Sequence, residues 1–361
     1  MTRYEELRDH LARRQHRWLV TGVAGFIGSH LLDALLRLDQ VVVGVDNFST
    51  GRRENLADVV AGVGGARAAR FQFVEGDICD PFVCQVAMEG VEFVLHEAAL
   101  GSVPRSMQDP LATHVANVDG FIRVLLAART AEVRRIVYAS SSSVYGDDPS
   151  DPKVEETLGD PLSPYAASKR IDELYAGTFN RTHGIDSVGL RYFNVFGPRQ
   201  DPNGAYAAVI PRWIGELFSG QPSVVFGDGS ASRDFCFVDN VVQANLLAAC
   251  APDSHVAPRV FNIACGERST LLDLFSAIRN QIATFLPSAS DKTPRLEAPR
   301  HGDILHSRAS IDRARGYLGY QPRYDVQRGL EETIRWYADR LVRRAVSRAG
   351  TADASYSTRV Q

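Results

Sequence analysis

The sequence holds 361 residues, of which 45% are hydrophobic and 23% charged, with a formal net charge of −3. That balance fits a soluble globular chain of one large or two medium domains, and it gives no reason to expect nucleic acid or a membrane surface as a partner. The five cysteines (Cys79, Cys84, Cys236, Cys250 and Cys265) have no zinc spacing, so reduced thiols in a cytoplasm and no metal are expected.

The charged N-terminus, MTRYEELRDHLARRQHR, reads as a short capping helix over residues 1–17 and not as a secretory signal. Strands are then predicted at Trp18–Thr21, Val41–Asp46, Phe71–Glu75, Val91–His96, Ile136–Ser140 and Ser187–Tyr192. Several are continuous apolar runs, as in strands covered on both faces. Helices are predicted between them at Phe26–Leu38, Pro110–Ala131 and Pro164–His183. No apolar run approaches the roughly eighteen residues of a membrane span. The alternation predicts an α/β fold, with a doubly wound parallel sheet of the Rossmann kind over residues 18–195. Further on, helices are predicted near Tyr206–Ser219, Val238–Ala249, Leu271–Thr284 and Val326–Arg343, with short strands at Val224–Phe226 and Phe261–Ile263. These suggest a smaller mixed α/β lobe over 196–343, mainly for substrate, with chain exchange between lobes allowed. Residues 344–361 are aperiodic and rich in Ser, Ala and Arg, and are expected to be disordered.

The stretch VTGVAGFIGSH sets Gly22, Gly25 and Gly28 between the first strand and the first helix. Glycines there permit a tight turn and let backbone N–H groups approach a pyrophosphate at a helix N-terminus. A tight strand–helix turn without a ligand is the plainer reading of the triplet alone. The context adds to it: the second strand ends at Asp46, where a carboxylate would accept hydrogen bonds from an adenosine ribose and repel a 2′-phosphate, favouring NAD over NADP. Arg52 and Arg53 work the other way, because an arginine can accommodate that phosphate. Asp77 and Ile78 follow the third strand, where an adenine edge would lie. Small residues such as Ala98 end the fourth.

SPYAASKR puts Tyr165 and Lys169 one helical turn apart. Only three lysines occur in the chain (Lys153, Lys169 and Lys292), so a lysine retained here is suspect as a needed one. A packed tyrosine beside a solvated lysine is the bland alternative. The functional one is a phenol whose acidity is raised by an ammonium, poised to take a proton from a sugar hydroxyl. The run SSSSVYG then has a purpose at the carboxyl edge of the fifth strand: Ser141 would donate to the reacting oxygen, and Ser142 and Ser143 would touch substrate or shape the pocket. Serines bonding their own backbone are the alternative.

Taken together, GxxGxxG, the serine run, YxxxK, LRYFNVFGPRQ and SRDFCFV resemble the extended short-chain dehydrogenase/reductase family of nucleotide-sugar enzymes. AALGSVPRS, YFNVFGPRQDPNGAYAAVIP and HGDILHSRA are most similar to its UDP-N-acetylglucosamine 4-epimerase branch. The likeness covers roughly residues 4–340. It implies a catalytic set of Tyr165, Lys169 and Ser141. It implies NAD contacts from Gly22, Gly25, Phe26, Ile27, Gly28, Asp46, Asn47, Ser49, Thr50, Gly51, Asp77, Ile78, Ala98, Tyr165, Lys169 and Tyr192. It implies UDP-sugar contacts from Ser102, Ser141, Ser142, Ser143, Asn194, Ala208, Val209, Arg233, Arg300, Asp303 and Ser307. Arg233 and Arg300 would clamp the diphosphate, since guanidinium forks suit phosphate oxygens. Ser307 falls where relatives selective for non-acetylated sugars carry a bulky aromatic, leaving room for an N-acetyl group. The 4,6-dehydratase and decarboxylase branches keep acids near Ser142 and Ser143, and this chain has none there. The expected activity is C4 epimerisation of UDP-N-acetylhexosamines through a 4-keto sugar. UDP-glucose and UDP-glucuronate are the alternative substrates. A homodimer paired through helices Pro110–Ala131 and Pro164–His183 is also expected.

Overall fold

The structure is a computed structural model that describes residues 1–202, 207–256, 259–299 and 305–357, with side chains through Leu341. The chain divides into two units. One comprises Met1–Val195, Ser232–Ser269 and Ile304–Tyr324; the other comprises Phe196–Ala231, Thr270–Asp303 and Asp325–Gln361.

The first unit is built on seven strands: β1 (Arg17–Thr21), β2 (Val41–Asp46), β3 (Phe71–Glu75), β4 (Phe93–His96), β5 (Arg135–Ser141), β6 (Ser187–Tyr192) and β7 (Val260–Ile263). Their order across the sheet is β7-β6-β5-β4-β1-β2-β3. Every neighbouring pair is parallel. Thr21, Asp46, Glu75, His96, Ser141 and Tyr192 therefore end their strands along one carboxyl edge. The order reverses beside β1, which is where doubly wound sheets open a ligand crevice. Strands of this kind need helices on both faces, and the sequence supplies them. Helices α1 (Arg3–Arg13), α2 (Phe26–Arg37), α3 (Arg53–Val63), α4 (Pro110–Thr130), α5 (Pro164–His183) and α7 (Val238–Cys250) belong to this unit. The second unit holds α6 (Val209–Phe218), α8 (Leu271–Ala283) and α9 (Val326–Ser357).

Several sequence expectations change. The capping helix is shorter than residues 1–17: Thr2 and Glu5 form a capping box at the start of α1, which buries Tyr4 and Leu11. The chain exchange allowed for the lobe over 196–343 takes a definite form, in which 232–269 and 304–324 belong with the sheet. Two physical reasons stand out. Strand β7 satisfies its backbone along the open edge of β6, pairing Val260–Ile263 with Gly189–Tyr192. Helix α7 is buried on nearly every face and lies against β4, β5 and β6, so it serves as a sheet-covering layer. Helix α9 continues to Ser357, where the sequence predicts disorder from residue 344; that stretch contains no proline to stop it. Helix α3 has no counterpart among the predicted elements.

Helix α4 is long and apolar enough to cross a membrane by length and composition alone. Here Val118, Phe121, Val124, Leu125 and Ala128 are buried against the sheet. Its middle, Val115–Asp119, is a π-helical segment, a local widening that recurs at functional sites.

Candidate active site

The glycine loop is defined by what cannot fit. Gly22 has φ of 67° and donates to the Val45 carbonyl at 2.8 Å; a Cβ on it would stand 2.8 Å from the Ala98 nitrogen. Gly28 is tighter still, since its Cβ would come within 2.1 Å of the Gly22 carbonyl oxygen. Gly25 caps the start of α2 with its N–H on the Gly22 carbonyl, and Phe26 and Ile27 form the first turn. The helix N-terminus thus sits directly behind the loop, where it favours a negative ligand. Buried Asn55 braces the loop by donating to the Ala24 carbonyl at 2.9 Å.

Asp46 ends β2 beside that loop. Its carboxylate accepts from the Ala24 N–H at 2.9 Å and the Phe48 N–H at 2.8 Å. Burial pushes its pKa up, against these hydrogen bonds. A side chain at Gly51 would collide with the same carboxylate. Asn47 donates to Asp77 at 2.8 Å, and Asp77 also accepts the Cys79 N–H. Arg53 bears on the choice between NAD and NADP. Its guanidinium is 2.7 Å from Glu75 and 4.0 Å from the centre of the Phe48 ring, so its charge is already paired.

A cleft connects these groups. Gly22, Gly25, Asp46, Asn47, Ser49, Thr50, Asp77, Ile78 and Ala98 line it, together with Val45, Gly76, Glu97, Ala99, Leu100 and Ala116. Glycine cradle, helix terminus and a carboxylate at the end of β2 fit the pyrophosphate and adenosine ribose of a dinucleotide.

The putting together of Tyr165 and Lys169 follows from local sequence. Ser163 caps α5 by accepting the Ala166 N–H, and Pro164 opens its first turn, so Tyr165 starts the helix and Lys169 follows one turn later. Lys169 is 2% exposed, too little for a solvated lysine. Its Nζ lies 3.3 Å from Asp172. Burial pulls its pKa down, but Asp172, Tyr165 and Glu97 outweigh that and hold the ammonium above its ordinary value. His96 is neutral, pushed down to about 3 by burial and by Lys169, and its Nδ1 pairs with Thr21 Oγ1 at 2.8 Å.

The four serines divide. Ser140 turns to the helix side and donates to Glu173 at 2.6 Å, which also holds Arg191; this is a structural tie. Ser141 caps the short 3-10 turn Ser142–Tyr145, accepting the Ser143 N–H at 3.1 Å and the Ser143 hydroxyl at 2.9 Å. Backbone capping and a hydroxyl at the sheet edge coexist in one residue, and α5 packs against that turn.

Other predicted substrate residues gather in the same unit. Asn194, with φ of 35°, donates to the Asp234 carbonyl at 2.8 Å. Arg233 pairs in parallel register with Ser307. Buried Asp234 binds this region together, accepting N–H groups of Cys265, Gly266 and Ala309 at 3.0 to 3.2 Å. Ser102 caps the short helix Val103–Gln108. Ala208 and Val209 start α6 in the second unit. Arg300 and Asp303 lie outside the described residues.

Sequence reasoning missed three residues. Asn117, in the π-helical segment, accepts the Leu100 N–H at 2.7 Å and donates to Ser168 at 3.0 Å, while Ser168 donates to the Tyr165 carbonyl. It links the cleft wall to the Tyr165 turn. Asp172 shows no signal beyond its i+3 spacing from Lys169. Glu97 accepts the Tyr192 hydroxyl at 2.8 Å, a contact between two strands not adjacent in the sheet.

The match to the NAD dependent epimerase/dehydratase family spans residues 18–264. The chain belongs to that family. A relative named UDP-glucose 4-epimerase, from Mycolicibacterium smegmatis, is 38% identical over 90% of this chain and 99% of its own length. Among solved structures, a UDP-N-acetylglucosamine 4-epimerase from Methanobrevibacter ruminantium, in complex with UDP-N-acetylmuramic acid, is 36% identical with a TM-score of 0.82. It covers 91% of this chain and 99% of its own. A UDP-glucuronic acid 4-epimerase from Bacillus cereus, in complex with UDP-glucuronic acid and NAD, is 30% identical with a TM-score of 0.77, over 90% and 99% of the two chains. For a family member with this cleft, the cofactor is NAD.

Proposed function

We propose that the chain is a UDP-sugar 4-epimerase acting on UDP-N-acetylhexosamines, interconverting UDP-GlcNAc and UDP-GalNAc. The observation that carries the choice of sugar is the register of Ser307 opposite Arg233. Paired residues on neighbouring strands share a face. The group proposed to grip the diphosphate therefore stands beside a side chain too small to fill an N-acetyl pocket. Ser142 and Ser143 support epimerisation over dehydration, since neither offers a carboxyl group for elimination.

NAD, when bound, supplies the reversible oxidation of C4 to a 4-keto sugar. Tyr165 is the base that takes the C4 hydroxyl proton and returns it. Lys169, one helical turn on, keeps its ammonium above its ordinary value and holds ribose hydroxyls. Ser141 donates to the reacting oxygen. Arg233 and Asn194 retain the diphosphate while the sugar ring turns, so that C4 is re-formed with the opposite configuration. Binding energy at the nucleotide end thus keeps a reactive ketone in place.

UDP-glucose and UDP-glucuronate are the second readings, favoured by the relatives that carry those names. The test is incubation of purified protein with each UDP-sugar, without added NAD, followed by separation of C4 epimers. Turnover of UDP-GlcNAc exceeding that of the other two supports the proposal; turnover confined to UDP-glucose or UDP-glucuronate refutes it. Ser307→Tyr should abolish UDP-GlcNAc turnover while sparing UDP-glucose. The proposal extends to a homodimer through α4 and α5, whose outer faces expose Leu111, Val115, Leu126, Leu174 and Tyr175. Light scattering on the wild type and on Leu174→Glu tests that extension.

A further inference from the structure

The proposed chemistry gives Glu97 no task, although it lies in the cleft wall and bears on Lys169. Its Oε1 accepts the Tyr192 hydroxyl at 2.8 Å. That hydroxyl in turn accepts from Asn245 Nδ2 at 2.8 Å, and Asn245 is itself fixed on the Val241 carbonyl at 2.9 Å. With Asn245 occupying the phenol oxygen, the Tyr192 proton is aimed at Glu97. The carboxyl is thereby held at the mouth of β4, next to Ala98 and within the electrostatic reach of Lys169. A carboxylate kept only for packing has no need to line the cleft.

We propose that Glu97 is a positioning residue whose carboxylate makes the cleft prefer the oxidised dinucleotide over the reduced one. The oxidised nicotinamide ring carries a positive charge that the reduced ring lacks. A fixed carboxylate near the lysine that grips that end attracts only the charged form. Lys169 acts in the opposite sense, and Asp172, 3.3 Å from its Nζ, offsets part of that repulsion. An epimerase must begin and finish each turnover with its dinucleotide oxidised. Glu97 therefore guards against a dead-end reduced enzyme. This inference rests on dinucleotide binding and not on the choice of sugar.

The experiment strips dinucleotide from the full chain and titrates NAD+ and NADH separately into wild type, Glu97→Gln and Glu97→Asp. At pH 9, where the carboxyl is ionised, Glu97→Gln should lower the ratio of NAD+ to NADH affinity by about tenfold, or about 30 mV for a two-electron couple. Glu97→Asp should keep most of the preference. An unchanged ratio in folded Glu97→Gln overturns the proposal. Loss of binding of both forms by the wild type would instead overturn the reading of the cleft itself.

Should Glu97→Gln fail to fold, pH gives a second measurement. Enclosure pushes the Glu97 pKa up to about 8, opposed by Tyr192 and Lys169. The groups facing it are Tyr192 from β6 and Lys169 from α5, with His96 on its own strand and Tyr165 beyond Lys169. Tyr192 is held well above its ordinary value by burial, His96 lies at about 3, and Asp172, beside Lys169, is pushed up to about 7 by burial. In a Tyr165→Phe background the NAD+ preference should therefore go on rising between about pH 8 and 9, above the Asp172 range. A flat profile overturns the proposal.

Discussion

Replacing Gly28 by alanine tests the glycine cradle most directly. The added Cβ would lie 2.1 Å from the Gly22 carbonyl oxygen, 2.8 Å from its carbon and 3.0 Å from Val23 Cα. All three are backbone atoms, so no rotamer change can relieve the contact. Real Cβ atoms do not come within 3.0 Å of such atoms, so loop and helix must part by about 1 Å. Overpacking of this kind costs about 3 kcal/mol. It also withdraws backbone N–H groups from the pyrophosphate, and losing one charge-assisted hydrogen bond of about 2 kcal/mol weakens binding more than tenfold. Gly62→Ala is the matched control. Gly62 is exposed in α3, its nearest neighbour is the end of Arg37 at 3.5 Å, and alanine there should add about 0.5 kcal/mol through helix propensity. Urea unfolding and NAD titration read both effects. If Gly28→Ala matches the wild type in both, the close-approach argument is wrong.

Three other outcomes are expected. Tyr165→Phe should retain NAD and UDP-sugar binding by calorimetry yet lose about 10³-fold in kcat, and full activity would remove the tyrosine from its assigned role. Asp234→Ala strands three N–H groups, that of Ala309 buried and those of Cys265 and Gly266 partly so, and should lower stability by about 3 kcal/mol in urea unfolding, whereas Asp234→Asn should lose less; equal losses would mean the carboxylate is not the tie. Burial pushes Asp234 up to about 7 and Glu97 up to about 8, so the folded chain binds more protons than the unfolded one above their ordinary range. Stability of dinucleotide-free protein should accordingly fall as pH rises from about 5 to 8, more gently in Glu97→Gln. Between about 3 and 6.5 the depressed His96 opposes that slope with a single proton, fewer than the buried carboxyls hold, so the fall is shallower there but keeps its sign, and a steady rise from pH 5 to 8 would contradict it.

Local signals marked the elements of the dinucleotide half of the candidate site. The spacing of Gly22, Gly25 and Gly28 allowed a close backbone approach, which the structure shows at Gly22 and Gly28, and Asp46, about twenty residues on, marked the end of the neighbouring strand. The Pro164–His183 pattern marked the helix that carries Tyr165 and Lys169, and the structure shows Ser163 capping it. Contacts between distant segments left no such trace. Glu97 reads as a polar interruption before two alanines until Tyr192 arrives from β6 and Asn245 from α7. Asn117 looks like any helical asparagine until the backbone widens around it.

The sequence by itself determined the parallel sheet, the glycine cradle and the Tyr165–Lys169 turn, because periodicity, capping and steric exclusion act within a few residues. Tertiary structure alone decided that 232–269 and 304–324 join the sheet unit, that Asp234 ties three segments to Arg233, and that Lys169 is hemmed by two acids. Those facts depend on which edge a strand finds and which buried group needs a partner, and a linear pattern of polar and apolar residues does not contain that information.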